Sequence, residues 1–373
     1  MFLFCKREEI NANIGDHPLM TRTPTSIVVA AAMATLAGVT AAGCDGAASS
    51  PGGQSAGPWS GPKNDTNWWL DVHSSPRGRF AVGGLPSEGA IMRHSGTRWD
   101  VVSVGTTVPL LNWITAEDDG TLTVVGNAGT VLRSPSDAQW TLEPTPTTQD
   151  LWGVAPTAAG ELIAVGGTGR DDGVATVLRR RGGEWQAEPL PTLTRPGVRA
   201  FFKVWAGGPD DVWVVGQSGA VLHYDGAQWE ERHAGTDRDL IAVWGVASDR
   251  VVMVGGRGNG VVVFWDGASF RTVDVAPIAG LNGVWMRNRD VVHAVGLFGT
   301  VLTMDFLTAG VPDGAGGLRG IVETTLETSH DLHAIHGGDA ATGGQLTVVG
   351  GNLAVVDGPY EGSVFERQLG DAE

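Results

Sequence analysis

Cysteine is scarce in this sequence, and so are helix-period segments and basic stretches. Only Cys5 and Cys44 occur among the 373 residues, and neither lies in the repeated part of the chain, which excludes a disulfide scaffold. The formal net charge is −16 and no basic stripe interrupts it, so nucleic acid is not an expected partner. What the chain does have is 56 glycines and many short apolar runs, which are typical of an all-β protein with many turns.

The N-terminal region predicts export and anchoring. Met20 is the expected true start, with residues 1–19 as an upstream extension, because a signal-like segment begins there with Arg22 and an apolar run. That run, Ile27–Ala42, has 16 residues, fewer than the ~20 that a membrane-spanning helix needs. The Ala-Ala-Gly-Cys sequence ending at Cys44 resembles the bacterial lipobox, with Ala where Leu is usual. Residues 20–43 are thus interpreted as a lipoprotein signal peptide and Cys44 as the lipidation site; the alternative is an ordinary cleaved signal.

A Gly/Ser/Pro-rich stretch, Asp45–Asn67, follows the cysteine and predicts a flexible tether. Residues 44–68 are therefore assigned to the lipidated cysteine and linker. A chain anchored in this way would lie at a membrane surface of the bacterial cell envelope, on the periplasmic or extracellular side.

Seven related units fill the rest of the chain, residues 69–373. Each begins with a large apolar residue, has a β-branched residue three places later, and reaches a Gly that ends the next apolar run. The units begin at Trp69, Leu111, Leu151, Phe201, Leu240, Leu281 and Leu332. The strand-ending glycines are Gly83, Gly126, Gly166, Gly216, Gly255, Gly296 and Gly350.

A period near 40 residues, with about four short strands per unit, predicts an all-β, seven-bladed β-propeller. Stacking the blades around an axis would bury both faces of each sheet, which explains continuous apolar runs such as Val212–Val215. Trp205, Trp244 and Trp285 share one position in their units, as residues that pack between blades would. They are interpreted as wedges between blades and not as a cofactor site.

The turn between the last two strands of unit four, Tyr224–Trp229, resembles the Asp-box (BNR) repeat. In that motif an Asp caps the amides of the turn and an aromatic residue fills the blade. The turn at Trp265–Phe270 is similar, and the other copies are degenerate. The whole of 69–373 looks like the seven-bladed propellers related to the photosystem II assembly factor. That resemblance implies a scaffold that docks a partner and implies no catalysis.

Candidate catalytic and metal-binding groups are weak in this sequence. Sialidases also carry Asp-boxes, but they need a tyrosine nucleophile and an arginine triad, and only Tyr224 and Tyr360 are present here. The cluster of His330, His333 and His336 suggests a metal site, yet His336 occupies the wedge position of the tryptophans, which favours packing. No phosphate-binding loop precedes a helix. We therefore expect no metal and no cofactor.

Loop length singles out unit three. Its second-to-third strand loop carries an insertion, residues 167–175, and its connection to unit four is also long. These two kinds of loop emerge on the same face of a propeller, so the insertions should thicken one sector of that face. The predicted partner or ligand face comprises Arg170, Asp171, Asp172, Arg195 and Arg199. The alternative is neutral variation of surface loops. A third insertion, Phe306–Gly320, is expected on the opposite face as a flexible, Gly-rich loop.

These features predict a monomeric, non-enzymatic, lipid-anchored envelope propeller that binds an envelope protein or acts as an assembly scaffold. The alternative is a lyase or hydrolase of envelope glycans that uses the central funnel. Such an enzyme should present carboxylates or histidines from several blades at one face, whereas the sequence reveals only the single sector of unit three.

Overall fold

Seven four-stranded antiparallel sheets form the protein, in a computed structural model that describes residues 57–370 except 137–138, 159, 170–171, 315–316, 339–343 and 356. The predicted all-β, seven-bladed propeller is confirmed. The first strand of each sheet contacts the first strands of the neighbouring sheets and lines the central axis. Within the described residues, no helix is long and apolar enough to cross a membrane. Cys44 and the signal segment lie outside the described residues.

Each blade is one sheet, and the strands are numbered along the chain. Blade 1 contains β2 Trp68–Ser75, β3 Gly78–Leu85, β4 Glu88–His94 and β5 Trp99–Val102. Blade 2 contains β6 Leu111–Ala116, β7 Leu122–Gly126, β8 Val131–Ser136 and β9 Gln139–Glu143. Blade 3 contains β10 Leu151–Ala158, β11 Glu161–Gly166, β12 Thr176–Arg181 and β13 Glu184–Ala187. Blade 4 contains β14 Phe201–Gly208, β15 Asp211–Gly216, β16 Ala220–Tyr224 and β17 Trp229–His233. Blade 5 contains β18 Leu240–Ala247, β19 Arg250–Gly255, β20 Asn259–Trp265 and β21 Phe270–Ala279. Blade 6 contains β22 Leu281–Met286, β23 Val291–Gly296, β24 Thr300–Asp305 and β25 Ile321–Thr325. Blade 7 contains β26 Asp331–Gly337, β27 Gln345–Gly351, β28 Gly362–Gln368 and β1 Ser60–Asp65.

The ring is closed by its two chain ends. Strand β1 pairs antiparallel with β28, with Asp65 opposite Gly362, so the N-terminal strand forms the outer edge of the last blade. The assignment of the whole of Asp45–Asn67 to a tether is therefore wrong for Ser60–Asp65, which carries too few apolar residues to register as a strand. Phe365 correspondingly lies on the third strand of blade 7 and not on its fourth.

Both faces of the blades are buried, as the continuous apolar runs predict. Along β15, Val212 and Val214 pack with residues of blade 3, while Trp213 and Val215 pack with residues of blade 5. Successive side chains of a strand point to opposite faces, so one run supplies the contacts to both neighbours.

The strand-ending glycines have a steric cause. A Cβ on Gly255 would lie 2.0 Å from the carbonyl oxygen of Asp239, and one on Gly296 would lie 2.0 Å from that of Gly280. In both cases the obstacle is the backbone where the first strand of the same blade begins. The recurrent glycine thus permits the close approach of two backbones.

The Asp-capped turn has the geometry expected from its sequence. Asp225 Oδ1 accepts hydrogen bonds from the amides of Ala227 and Gln228, both at 2.9 Å, and Trp229 is buried. Asp266 makes the same pair of bonds in blade 5. The carboxylate thereby replaces the backbone acceptors that the tight turn lacks.

Candidate functional site

The two insertions of blade 3 meet on one face, which we call the loop face. It is formed by the turns between second and third strands and by the connections between blades. Gly167, in the first insertion, forms an isolated antiparallel bridge with Ala200, at the end of the second. Gln149 also holds the first insertion, because its side chain donates to the Asp172 carbonyl and accepts from the Val174 amide. The insertions are therefore one bonded sector.

The predicted site residues have different surroundings within that sector. Asp172 is exposed and bound through its carbonyl to Gln149, whereas the amide of Arg199 donates to the side chain of Gln217 at 2.8 Å. Arg195 extends toward blade 4, where its Nη1 donates to the Ser218 carbonyl at 2.6 Å. Arg170 and Asp171 lie outside the described residues.

Arg195 also lines an open cleft of 630 Å³ at the boundary of blades 4 and 5. The remaining polar lining comes mainly from the connection that follows β17 and from β21. The lining side chains that carry charge or can acquire it are Arg195, His233, Asp237, Arg238 and Asp274. The four residues contributed by blades 4 and 5 could not be predicted from loop length, since the connection between these blades has ordinary length. A concentration of charge in it was the available signal.

Ion pairs fix the walls of this cleft. Arg238 binds Asp274 through two hydrogen bonds, of 3.0 and 2.7 Å, and also donates to the Gly260 carbonyl. The hydrogen bond from Arg238 is the main reason that the pKa of Asp274 lies below its ordinary value. Arg195, which also lines the cleft, has its Nε 4.0 Å from Glu231 Oε1. Burial raises the pKa of Glu231, but the bonds from Thr194 outweigh burial and hold that pKa below its ordinary value.

On the loop face, three turns are each bonded to an Asp carboxylate that lies near the start of the next blade. In blades 2, 4 and 6 the second residue of the 3₁₀ turn between the second and third strands has φ near +55°. An Asp at the start of the next blade, in or just before its first strand, accepts the amide hydrogen of that residue. The turn residues are Ala128, Ser218 and Phe298, and their acceptors are Asp150, Asp239 and Asp331. Phe298 is unusual among them, because a bulky side chain in this conformation is strained and its exposed fraction is 64%.

Side chains of the first strands form hydrogen bonds with the backbone of neighbouring blades around the axis. Asp71 accepts from the Ile114 amide at 2.9 Å, Asn112 donates to the Leu151 carbonyl at 2.9 Å, and Lys203 donates to the Trp152 carbonyl at 2.6 Å. Trp244, Asn282 and His333 make the equivalent bonds to Met286, Leu332 and Leu70. First strands of different blades are not paired in a common sheet, so these bonds satisfy backbone groups that would otherwise face the channel.

The three histidines of blade 7 are engaged separately. His330 contacts Ser363 Oγ at 2.6 Å and Glu361 at 3.2 Å, His333 donates to Leu70, and His336 accepts from the Ser74 amide at 3.3 Å. His336 also lies against Trp244 and Trp285, in the wedge arrangement expected from its repeat position. His330 thus lies between Ser363 and Glu361, which are the residue types of a nucleophilic triad. However, the Ser363 side chain is fully buried and no substrate could reach it.

No protein-family model matches this chain, and no curated protein sequence matches it either. Solved structures do match its fold. YCF48 from Cyanidioschyzon merolae aligns with a TM-score of 0.59 and 14% identity, covering 83% of this chain and 98% of that one. A catalytically inactive virginiamycin B lyase from Staphylococcus aureus with quinupristin aligns with a TM-score of 0.64 and 10% identity. The alignment covers 84% of this chain and 98% of that one. The WD40 propeller domain of Doa1 aligns with a TM-score of 0.58 and 10% identity, covering 83% of this chain and 96% of that one. Identities this low establish a shared fold and no more.

Proposed function

We propose that this chain is a non-enzymatic binding or assembly scaffold of the bacterial cell envelope, anchored by lipid at Cys44, whose loop face over blades 3 to 5 docks a partner protein. The observation that carries the proposal is the cleft between blades 4 and 5, lined by Arg195, His233 and Arg238, beside the bonded insertions of blade 3. The cleft brings the guanidinium groups of Arg195 and Arg238 together with the carboxylates of Asp237 and Asp274.

Preorganisation supports docking at this surface. Arg238 and Arg195 are held by carboxylates and carbonyls, so little side-chain entropy remains to be lost when a partner binds. Arginine is enriched at the centres of protein interfaces because its planar guanidinium can bind a carboxylate or stack on a ring. A structure of YCF48 bound to D1 peptide, which matches this fold with a TM-score of 0.54, provides a precedent for peptide binding by such a propeller.

The anchor is the second element of the proposal. Lipidation of Cys44 would hold the propeller at a membrane surface, with residues 45–59 as the tether. The replacement Cys44→Ser should release the protein from membranes, and mass spectrometry of the membrane-bound wild type should find diacylglycerol on an N-terminal cysteine. A mature wild-type chain that begins elsewhere and carries an unmodified cysteine would contradict this part alone.

The alternative, a glycan lyase or hydrolase, has one observation in its favour. Asp71, Lys203 and His333 come from three different blades and interact electrostatically around the axis. However, the side chains of Asp71 and Lys203 are deeply buried and each is bonded to backbone, which suits a structural or ligand-holding role better than proton transfer to a polymer.

The proposal is tested by recovery of envelope proteins on an immobilised chain that begins at Gly57. Replacing Arg170, Asp171, Asp172, Arg195 and Arg199 by Gln or Asn should abolish recovery of the main partner and leave the melting temperature nearly unchanged. A matched control replaces exposed charges of the opposite face, with Asp210→Asn and Arg289→Gln, and should retain recovery. If the control loses recovery of the partner while the five-site variant recovers it normally, docking occurs on the opposite face and the proposal is wrong.

A further inference from the structure

Exposed apolar side chains are concentrated on one part of blade 6. Of the eight large apolar side chains that are exposed in the described part of the chain, four fall between residues 307 and 322. Leu307, Val311 and Leu318 lie in the insertion between β24 and β25, and Val322 lies on β25. We call these four residues the blade-6 patch. Single exposed apolar residues are common, but a local concentration of them marks a surface that contacts something other than water.

The insertion that carries most of the patch is bonded into a defined shape. Phe306 is buried at its start, and Arg271 of blade 5 donates to the Phe306 carbonyl. Beyond it the chain forms a short hairpin. The Gly310 amide donates to the Arg319 carbonyl at 3.0 Å, and the Arg319 amide donates to the Val311 carbonyl at 2.8 Å. Little backbone entropy would therefore be lost when the apolar side chains are covered.

The patch and the N-terminal strand lie on the same face. The third strand of a blade runs from the loop face to the opposite face, so the insertion after β24 lies on the opposite face. Strand β1 runs antiparallel to β28, the third strand of blade 7, with Ser60 opposite Glu366 near the end of β28. Ser60 therefore lies at the opposite face, and the Gly57 amide donates to the Gln368 carbonyl there at 3.0 Å. The chain that leads to Cys44 thus leaves the propeller on the face that carries the patch.

The patch and the exit of the chain are also neighbours around the ring. Strand β1 is the outer strand of blade 7 and β25 is the outer strand of blade 6, and the first strands of these two blades are in contact. A flexible linker with the length of residues 45–56 has a root-mean-square reach of roughly 20 Å. An anchor at Cys44 would therefore keep this edge of the opposite face close to the lipid.

The polar groups around the patch suit a layer of lipid headgroups. Arg319 lies on the hairpin, and Arg287 lies in the turn after β22, which is joined to the start of the insertion by a backbone hydrogen bond of 2.7 Å. Both guanidinium groups are exposed. Segments that lie in a membrane interface place apolar side chains at the headgroup boundary and cations against phosphates. Asp313 and Glu323 lie in the same region, so the apolar contact carries the binding and net charge adds little.

We propose that the blade-6 patch lies against the lipid surface to which the chain is anchored, so that the opposite face is turned toward the membrane and the loop face away from it. This orientation rests on the lipid anchor of the proposed function. A partner of the loop face would then approach from the aqueous side. A second copy of this chain or another protein could also cover apolar side chains, but the exit of the chain beside the patch favours lipid.

The contact can be tested with a chain that begins at Cys44, which keeps every described residue. Its single thiol, that of Cys44, is coupled to a maleimide lipid in vesicles of phosphatidylethanolamine and phosphatidylglycerol. This coupling reproduces the anchor whether or not the cell lipidates the cysteine, so failure of the contact is distinguished from failure of the anchor.

The readout is photocrosslinking to lipid. A diazirine amino acid is placed at Leu307, which is 60% exposed, and as controls at Val174 and Phe298, which are 62% and 64% exposed on the loop face. After illumination, mass spectrometry should find about tenfold more lipid adduct from position 307 than from either control, because only that side chain reaches the headgroup boundary.

A second comparison removes the apolar contact itself. With the diazirine at Val311, the variant Leu307→Ser, Leu318→Ser should lose most of the lipid adduct. The matched control Val101→Ser, Leu142→Ser removes two exposed apolar side chains from the outer strands of blades 1 and 2, and it should keep the adduct. All four residues are exposed, so the fold should persist in both variants.

Three results would overturn the proposal. The first is equal lipid adduct from positions 307, 174 and 298. The second is an adduct with twice the mass of the chain at position 307 in place of the lipid adduct, which would assign the patch to a second copy. The third is an undiminished lipid adduct at position 311 in the variant that lacks both leucines.

Discussion

The indole nitrogen of Trp229, in blade 4, donates a hydrogen bond of 3.1 Å to the carboxylate of Glu188, which follows the last strand of blade 3. The preceding pair of blades repeats the contact, with Trp185 donating to Glu143 at 2.9 Å. In both cases the carboxylate also binds an arginine, Arg179 for Glu188 and Arg180 for Glu143. The aromatic residue that fills a blade thus also bonds that blade to its neighbour.

Removing either partner of this contact should lower the free energy of unfolding, and removing the carboxylate should lower it more than removing the indole nitrogen. Trp229→Phe removes the bond to a charged acceptor and should lower the free energy of unfolding by about 2 kcal/mol. Glu188→Ala should lower it by about 3 kcal/mol or more, because it leaves the buried guanidinium of Arg179 without this partner. Urea denaturation measures both. The exposed Glu184→Ala serves as control and should stay within about 0.5 kcal/mol of the wild type; equal losses in all three variants would refute the role of the contact.

Closure of the ring predicts the effect of shortening the chain. A chain that begins at Asn67 lacks β1 and exposes β28, Gly362–Gln368, as a new sheet edge, so it should aggregate. A chain that begins at Gly57 keeps β1 and should elute as a monomer in size-exclusion chromatography with light scattering. A monomeric chain from Asn67 with unchanged melting would be incompatible with a closing role for β1.

The Asp-capped turns predict part of the acid sensitivity. Backbone hydrogen bonds lower the pKa of Asp225 and of Asp266 below the ordinary 3.8. Their stabilising contribution is therefore complete above the unfolded value and is lost as the pH falls through the lower folded value. The double variant Asp225→Asn, Asp266→Asn keeps an acceptor oxygen without the titration. It should lose less stability than the wild type between about pH 4 and pH 2, as measured by thermal unfolding.

The control for this comparison replaces Asp210 and Asp290, which are exposed and form no such cap in the described turns. That variant should follow the acid dependence of the wild type. If the cap variant and the control behave alike, the turn carboxylates do not cause the difference.

Lys203 predicts a dependence of stability on alkaline pH. Its pKa falls from 10.5 to about 8 on folding, so between these values the unfolded chain binds more protons than the folded chain. The free energy of unfolding should therefore rise with pH in this window, by roughly 3 kcal/mol at most. Lys203→Met lacks this titration. Urea midpoints at pH 7.5 and pH 10 should show a more favourable change in the wild type than in the variant, and parallel changes would contradict the shift.

The fold was predictable because its causes are local and repeat. Runs such as Val212–Val215 reveal two buried faces, and Gly255 marks the place where two backbones meet. Strand β1 was not predictable, since its partner β28 lies some 300 residues away and its own sequence has no apolar alternation. The start of the insertion Phe306–Gly320, which was expected as a flexible loop, packs against blade 5. Phe306 and Ala309 are buried there, and Arg271 donates to both of their carbonyls.

The candidate site was predictable only in part. Loop length identified the sector of blade 3, because an insertion changes spacing visibly. It could not identify Arg238, which joins Arg195 in one cleft only through the packing of blade 5 beside blade 4. Lys203 was not predictable for a similar reason, because its relation to Asp71 is set by the two blades between them and not by any motif. The role of the predicted site residues stays a prediction.

Docking on the loop face is tested most directly by site-specific photocrosslinking in living cells. A photoreactive amino acid is placed at Asp237, which is exposed in the cleft, and, as control, at Asp290, which is exposed on the opposite face. We expect one discrete adduct with an envelope protein from position 237 and none from position 290, with the adduct lost in the five-site variant. An adduct from position 290 alone, or an adduct from position 237 that survives the five-site replacement, would contradict the account.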